Sequence, residues 1–110
     1  MTARGLCNAV GDAAVAFDSF EALGIRPAHQ VPQATIVLGP SIDTELALEF
    51  AASTRRADPT CGVVLVRRRI DANVLAAALR AGVREVIAER DLPGLAEAVR
   101  RSDELTRALR

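Results

Sequence analysis

The run Arg67-Arg68-Arg69 is the stretch of this 110-residue chain whose residue types most suggest chemistry. Adjacent guanidiniums can grip a phosphate or an acidic partner through paired, charge-assisted hydrogen bonds. Three arginines behind a strand can equally form a solvated loop. They follow the apolar segment rather than sit within it, so slight burial is expected, and charge reversal should leave the fold intact. Asp12 and Asp18 fit a helix cap and a solvated helix position, and Glu85 with Glu89 reads as surface charge rather than an acid–base pair. His29 is the single histidine and stands between Pro27 and Pro32. No acidic, Ser or Cys partner lies at motif spacing from it, which argues against general acid–base catalysis. Cys7 and Cys61 sit in apolar surroundings without C-x-x-C or Cys/His ligand spacing, so no metal or other cofactor is expected.

Every one of the fourteen basic residues is arginine. A lysine-free chain cannot supply a P-loop lysine or a Schiff-base amine, although GC-rich codon usage would leave the same mark. The formal net charge is zero and the pI is near 6.6, unlike the basic excess of nucleic-acid binders. No aromatic platform accompanies the arginines, which also speaks against single-stranded nucleic acid. Neither a signal peptide nor a run of about 20 apolar residues is present. The cytoplasm is the expected location, and membrane insertion is not expected.

These side chains must be positioned by one domain spanning 1–110, a length that suits a single core. Half of the residues are hydrophobic but only 3% are aromatic, so that core has to be built from Ala, Val, Leu and Ile. A short apolar run, Leu6 to Val10, predicts a strand. Ala13, Ala14, Phe17, Phe20 and Leu23 recur at helical steps and predict a helix stopped by Gly24. A loop from Gly24 to Gln33 follows. Thr35 to Leu38 predicts a buried strand, Thr44 to Arg56 a helix capped by Ser41 or Asp43, and Cys61 to Val66 the clearest strand. Asp71 caps a helix through Ala81, Gly82 closes it, Val83 to Ala88 predicts a strand, and Asp91 with Pro93 opens a last helix. Regular β-α alternation implies an α/β fold: a doubly wound parallel sheet between two helix layers.

The segment Ala81-Gly82-Val83-Arg84-Glu85-Val86-Ile87-Ala88 resembles the AGA-D-D-Y-L pattern before the last helix of response-regulator receiver domains. Ala34 to Pro40 resembles the receiver strand that ends at the phosphoacceptor, and Gly62 to Arg67 the strand that ends at the switch Thr or Ser. The runs Leu38-Gly39-Pro40-Ser41-Ile42-Asp43 and Val63 to Ile70 are similar to the N-terminal pseudo-receiver of CpaE/TadZ-like pilus-assembly ATPases, of the MinD/ParA superfamily. The similarity covers Ala34 to Arg110.

The resemblance implies a flavodoxin-like (CheY-like) fold with a degenerate site. Gly39 stands at the phosphoacceptor position, Arg67 at the switch position, and Glu89 at the lysine position. Four β-α units are counted where a receiver has five. Either the missing unit lies upstream of Met1, or the Gly24–Gln33 linker replaces it. Leu6 to Leu23 resembles the second receiver unit slightly better than the first, which would leave a central strand absent. No G-K-[ST] motif is present, so the ATPase part is not in this sequence. The resemblance implies a non-catalytic interaction module whose partner is a MinD-like ATPase or a second copy, with phosphate or nucleotide sensing at Arg67–Arg69 as the alternative. Receivers usually dimerise through their last two helices and last strand. Leu79, Val83, Leu92, Leu95, Leu105 and Leu109 are the interface residues expected there.

Overall fold

A computed structural model of the chain describes residues 15–19 and 35–109. The expected strand Leu6–Val10, the start of the expected first helix, Cys7, Asp12, His29 and the Gly24–Gln33 loop lie outside the described residues. Four strands, β1 (Val15–Phe17), β2 (Thr35–Leu38), β3 (Gly62–Arg67) and β4 (Glu85–Ala88), form one parallel sheet in the order β1-β2-β3-β4. Helix α1 (Thr44–Ala57) joins β2 to β3, α2 (Ala72–Ala81) joins β3 to β4, and α3 (Leu92–Leu109) follows β4.

Every residue of β3 is buried, as a strand covered on both faces requires. Its side chains alternate between two cores. Val63 and Leu65 join Ile36, Leu38, Ala47, Ala51 and Ala78 beneath α1 and α2. Val64 and Val66 join Val37, Leu95, Ala98 and Val99 beneath α3. The three-layer arrangement therefore follows from the period-two pattern of two aliphatic strands. Alanines on the inner helix faces let the helices approach the sheet closely.

The expected first helix is corrected at its described part: Val15-Ala16-Phe17 is a strand paired with Ile36-Val37-Leu38. Ala16 packs into the α3-side core and Phe17 into the opposite one, which is strand alternation. Tertiary pairing outweighs the helical spacing of neighbouring apolar residues. β1 lies directly beside β2, and Gly39 N–H donates to the Phe17 carbonyl at 2.7 Å. The flavodoxin-like order is 2-1-3-4-5. Among the described residues the sheet matches that order without its outer strand, so no central strand is missing from it.

Helix boundaries follow local caps. Asp43, rather than Ser41, accepts from Glu45 N–H at 3.1 Å. Asp71 accepts from Val74 N–H at 2.8 Å, and Asp91 from Gly94 N–H at 3.0 Å. Gly82 adopts the left-handed conformation, φ 86°, that ends α2. Val83 and Arg84 lie in the turn before β4 rather than in the strand. Among the described residues, no helix is long and apolar enough to cross a membrane.

Candidate functional site

The carboxyl ends of parallel strands are where open α/β sheets bind ligands. Asp18 follows β1, Gly39 follows β2, Arg67 ends β3 and Glu89 follows β4. The Asp18 carboxylate accepts from Ser41 N–H at 2.9 Å and from the Ser41 hydroxyl at 3.2 Å. It lies so close over Gly39 that a Cβ there would collide with it. Arg67 is buried, with 6% exposure. Its Nη2 donates to the Gly39 carbonyl at 2.6 Å, and its Nη1 to the Ile42 carbonyl at 2.8 Å and to Thr44 Oγ1 at 2.9 Å. Its Nε donates to the Val66 carbonyl at 2.6 Å. Burial pulls this guanidinium below the ordinary arginine range, while the nearby Asp18 and Asp43 charges oppose that shift.

Two expectations are corrected. Arg67 belongs to β3 and is buried, because its guanidinium supplies donors to loop carbonyls that would otherwise have none from a helix or strand. The arginine run is therefore not one uniform surface feature. Asp18 is not a helix residue but directly follows β1, and it meets Ser41 across the sheet edge. Arg68 and Arg69 are exposed as expected, and Arg68 pairs with Glu89 at 3.1 Å. Arg67, Arg68 and Arg69 line a shallow cleft of about 370 Å³ together with Pro40, Thr44 and Val74. Glu85 and Glu89 do not form a dyad: Glu85 takes a two-pronged ion pair from Arg101, at 2.6 and 3.0 Å. Among the described residues, no group of three His, Cys, Asp or Glu side chains could hold a metal ion.

No protein-family model matches the chain, and no curated protein matches it. Among solved structures it is similar to a CheY-like response regulator receiver domain protein from Methanospirillum hungatei JF-1. The TM-score is 0.58 at 13% identity, over 71% of this chain and 63% of that one. The fold is receiver-like. The chain thus matches less than two thirds of the receiver's length, in keeping with a sheet that has four strands among the described residues.

The opposite end of this receiver-like sheet holds three of the six exposed large apolar side chains among the described residues, including the most exposed of them. Leu79, Leu105 and Leu109 are 72%, 48% and 55% exposed. They border a groove of about 300 Å³ between the ends of α1, α2 and α3, with Val83 buried in its wall. Leu92 is exposed as well, but it starts α3 at the other end of the sheet, about 20 Å along the helix from Leu105. Leu95 is 0% exposed and belongs to the core. The expected interface is corrected accordingly: Leu95 and Val83 are interior, and Leu92 stands apart from the Leu105–Leu109 pair. An 18-residue helix outruns its short sheet, so its apolar stripe serves the core in the middle and meets solvent at the ends.

Sequence reasoning missed the polar lock beside this groove. Arg84 Nη1 donates to the Ser102 carbonyl, Ser102 Oγ and Thr106 Oγ1 at 2.7–2.8 Å, and Nη2 to the Thr60 carbonyl at 2.9 Å. Thr35 Oγ1 donates to Ser102 Oγ at 2.8 Å, beneath the start of β2. Gly62 leaves room for this cluster, since a Cβ there would strike Arg84 and Ser102. Burial lowers the Arg84 guanidinium below its ordinary range, opposed by the Cys61 thiol. The signal in the sequence was small polar residues, Ser102 and Thr106, on the inward side of α3.

Proposed function

We propose that the chain is a protein-interaction module on a receiver-like fold and works without phosphoryl transfer or other catalysis. The observation that carries this reading is the Arg67 guanidinium. At the sheet edge where receivers carry their chemistry, this cation is already committed to the Gly39 and Ile42 carbonyls and Thr44. Acyl-phosphate formation needs a carboxylate nucleophile. By the resemblance that position is Gly39, where the Asp18 carboxylate leaves no space for a side chain. The same resemblance puts Arg67 at the switch position and Glu89 at the lysine position.

The likeness of Leu38–Asp43 and Val63–Ile70 to CpaE/TadZ-like pseudo-receivers suggests the setting: localisation or dimerisation of a MinD-like ATPase in pilus or secretion assembly, in the cytoplasm. Exposed Leu79, Leu105 and Leu109 support a protein partner rather than a nucleic acid. Phosphate or nucleotide sensing would have to rest on Arg69, because Arg67 is hydrogen-bonded internally and Arg68 is paired with Glu89. The test is incubation with acetyl phosphate and magnesium, read by intact-mass spectrometry. An unmodified mass is expected, and a stable phosphoryl adduct would overturn the reading. Calorimetric titration with inorganic phosphate should show no binding; saturable binding lost in Arg69→Ala would move the function to sensing.

A further inference from the structure

We infer that the groove at the amino-terminal end of the sheet is a docking site for an acidic amphipathic helix of a partner protein. The inference rests on the interaction-module reading and adds the chemistry of the partner. The apolar part of the groove is Leu79, Val83, Leu105 and Leu109, and its charged lining is Arg55 and Arg84. No carboxylate lines it among the described residues. Arg55 and Arg56 close the last turn of α1, and Arg80 that of α2. None of these three has an ion pair among the described residues. On the same end of the fold, Asp103 is paired with Arg107, Asp58 is hydrogen-bonded to Thr60, and Glu104 is exposed on α3 outside the groove's lining. The groove thus has an apolar floor, a lining whose charged groups are both cations, and a rim in which arginines outnumber carboxylates.

Charge decides between occupants. A second copy docked groove to groove by two-fold symmetry would lay this cationic lining against the same cationic lining, an arrangement of like charges that opposes association. Residues 1–14 and 20–34 carry Asp12 and Glu21 offset by Arg4 and Arg26, so they supply no acidic stripe. An extended peptide would need a free strand edge for its backbone, and this end of the sheet presents strand ends rather than an edge. A helix brings its backbone already hydrogen-bonded. Leucine-type anchors at i, i+3 or i+4, and i+7 would enter between Leu79 and Leu105, and flanking Glu or Asp would meet Arg55, Arg56 and Arg80.

The experiment uses the full chain and three labelled helical peptides, read by fluorescence anisotropy. One has a leucine stripe flanked by glutamates, the second the same stripe flanked by lysines, and the third the glutamates with the stripe changed to serine. The first should bind saturably and at least about tenfold tighter than the other two, with affinity falling as salt rises. Arg55→Glu should weaken the acidic peptide about tenfold and strengthen the lysine one. Leu109→Glu should weaken both leucine-striped peptides, with far-ultraviolet circular dichroism unchanged. Equal binding of the acidic and basic peptides, or no binding by any of the three, overturns the inference. So does binding to anionic phosphatidylglycerol vesicles that is tighter than to the acidic peptide, which would assign the surface to lipid. Failure here with a mass still unmodified by acetyl phosphate refutes only the acidic-helix assignment. A phosphoryl adduct refutes the underlying module reading instead.

Discussion

Replacing Arg67 should destabilise the protein far more than replacing either arginine beside it. Arg67→Met removes a donor from the Ile42 carbonyl and from Thr44, and leaves the Gly39 carbonyl only the longer turn bond from Ile42 N–H at 3.3 Å. Each buried group left unpaired costs about 1–3 kcal/mol, so a loss of about 3 kcal/mol is expected in urea unfolding. Arg68→Ala should change stability by less than about 1 kcal/mol, because exposed ion pairs contribute little. A triple Glu substitution at 67–69 should therefore unfold the chain through its first member, and equal small losses at all three sites would refute the Arg67 lock. Residue type alone does not separate the three arginines. What separates them is where the strand ends in space, and that depends on loop carbonyls 25 and 28 residues away. Gly39 shows the same mixture. Its place after an apolar run was legible, but the Asp18 carboxylate above it comes from 23 residues earlier than the Ser41 that holds it. Gly39→Asp, which restores the receiver nucleophile in name, should lower the melting temperature and still give no phosphoryl adduct with acetyl phosphate.

Helices α1, α2 and α3 begin and end on side chains two or three residues from the turns they stabilise, which is why Asp71, Gly82 and Asp91 could be read directly. Gly82→Ala places a Cβ at φ 86° and against the Arg55 side chain. A loss of about 1 kcal/mol is expected in equilibrium unfolding, and Gly82→Asn should lose less. Arg84→Ala tests how α3 is held. Without that guanidinium the Ser102 carbonyl and the Ser102 and Thr106 hydroxyls lose a shared donor. Amides of residues 102–109 should then exchange faster with deuterium while those of β3 stay protected. Uniform acceleration across the chain would show that the cluster supports the whole fold rather than one helix end. β1 was illegible at this scale. Three residues carry too little periodicity to overrule the helical spacing around them, and only the ladder to β2 reveals the strand.

The receiver-like layering was visible in the sequence because β2 and β3 are aliphatic on both faces, a demand that only a covered parallel sheet makes. The division of exposed leucines between the two ends of the molecule was not visible. Helical periodicity puts Leu92, Leu95, Leu105 and Leu109 on related positions of α3 without telling where the sheet beneath them stops. Leu109 ends α3 and borders the groove at the amino-terminal end of the sheet, so polypeptide joined after it starts near the groove's mouth. A ligand helix joined there by a short flexible linker would experience an effective concentration of about a millimolar. A contact too weak to detect between separate molecules would then be nearly saturated within one. A fusion of the acidic peptide after Arg110 should protect the groove from the free labelled peptide, whereas the lysine version in the same place should leave it open.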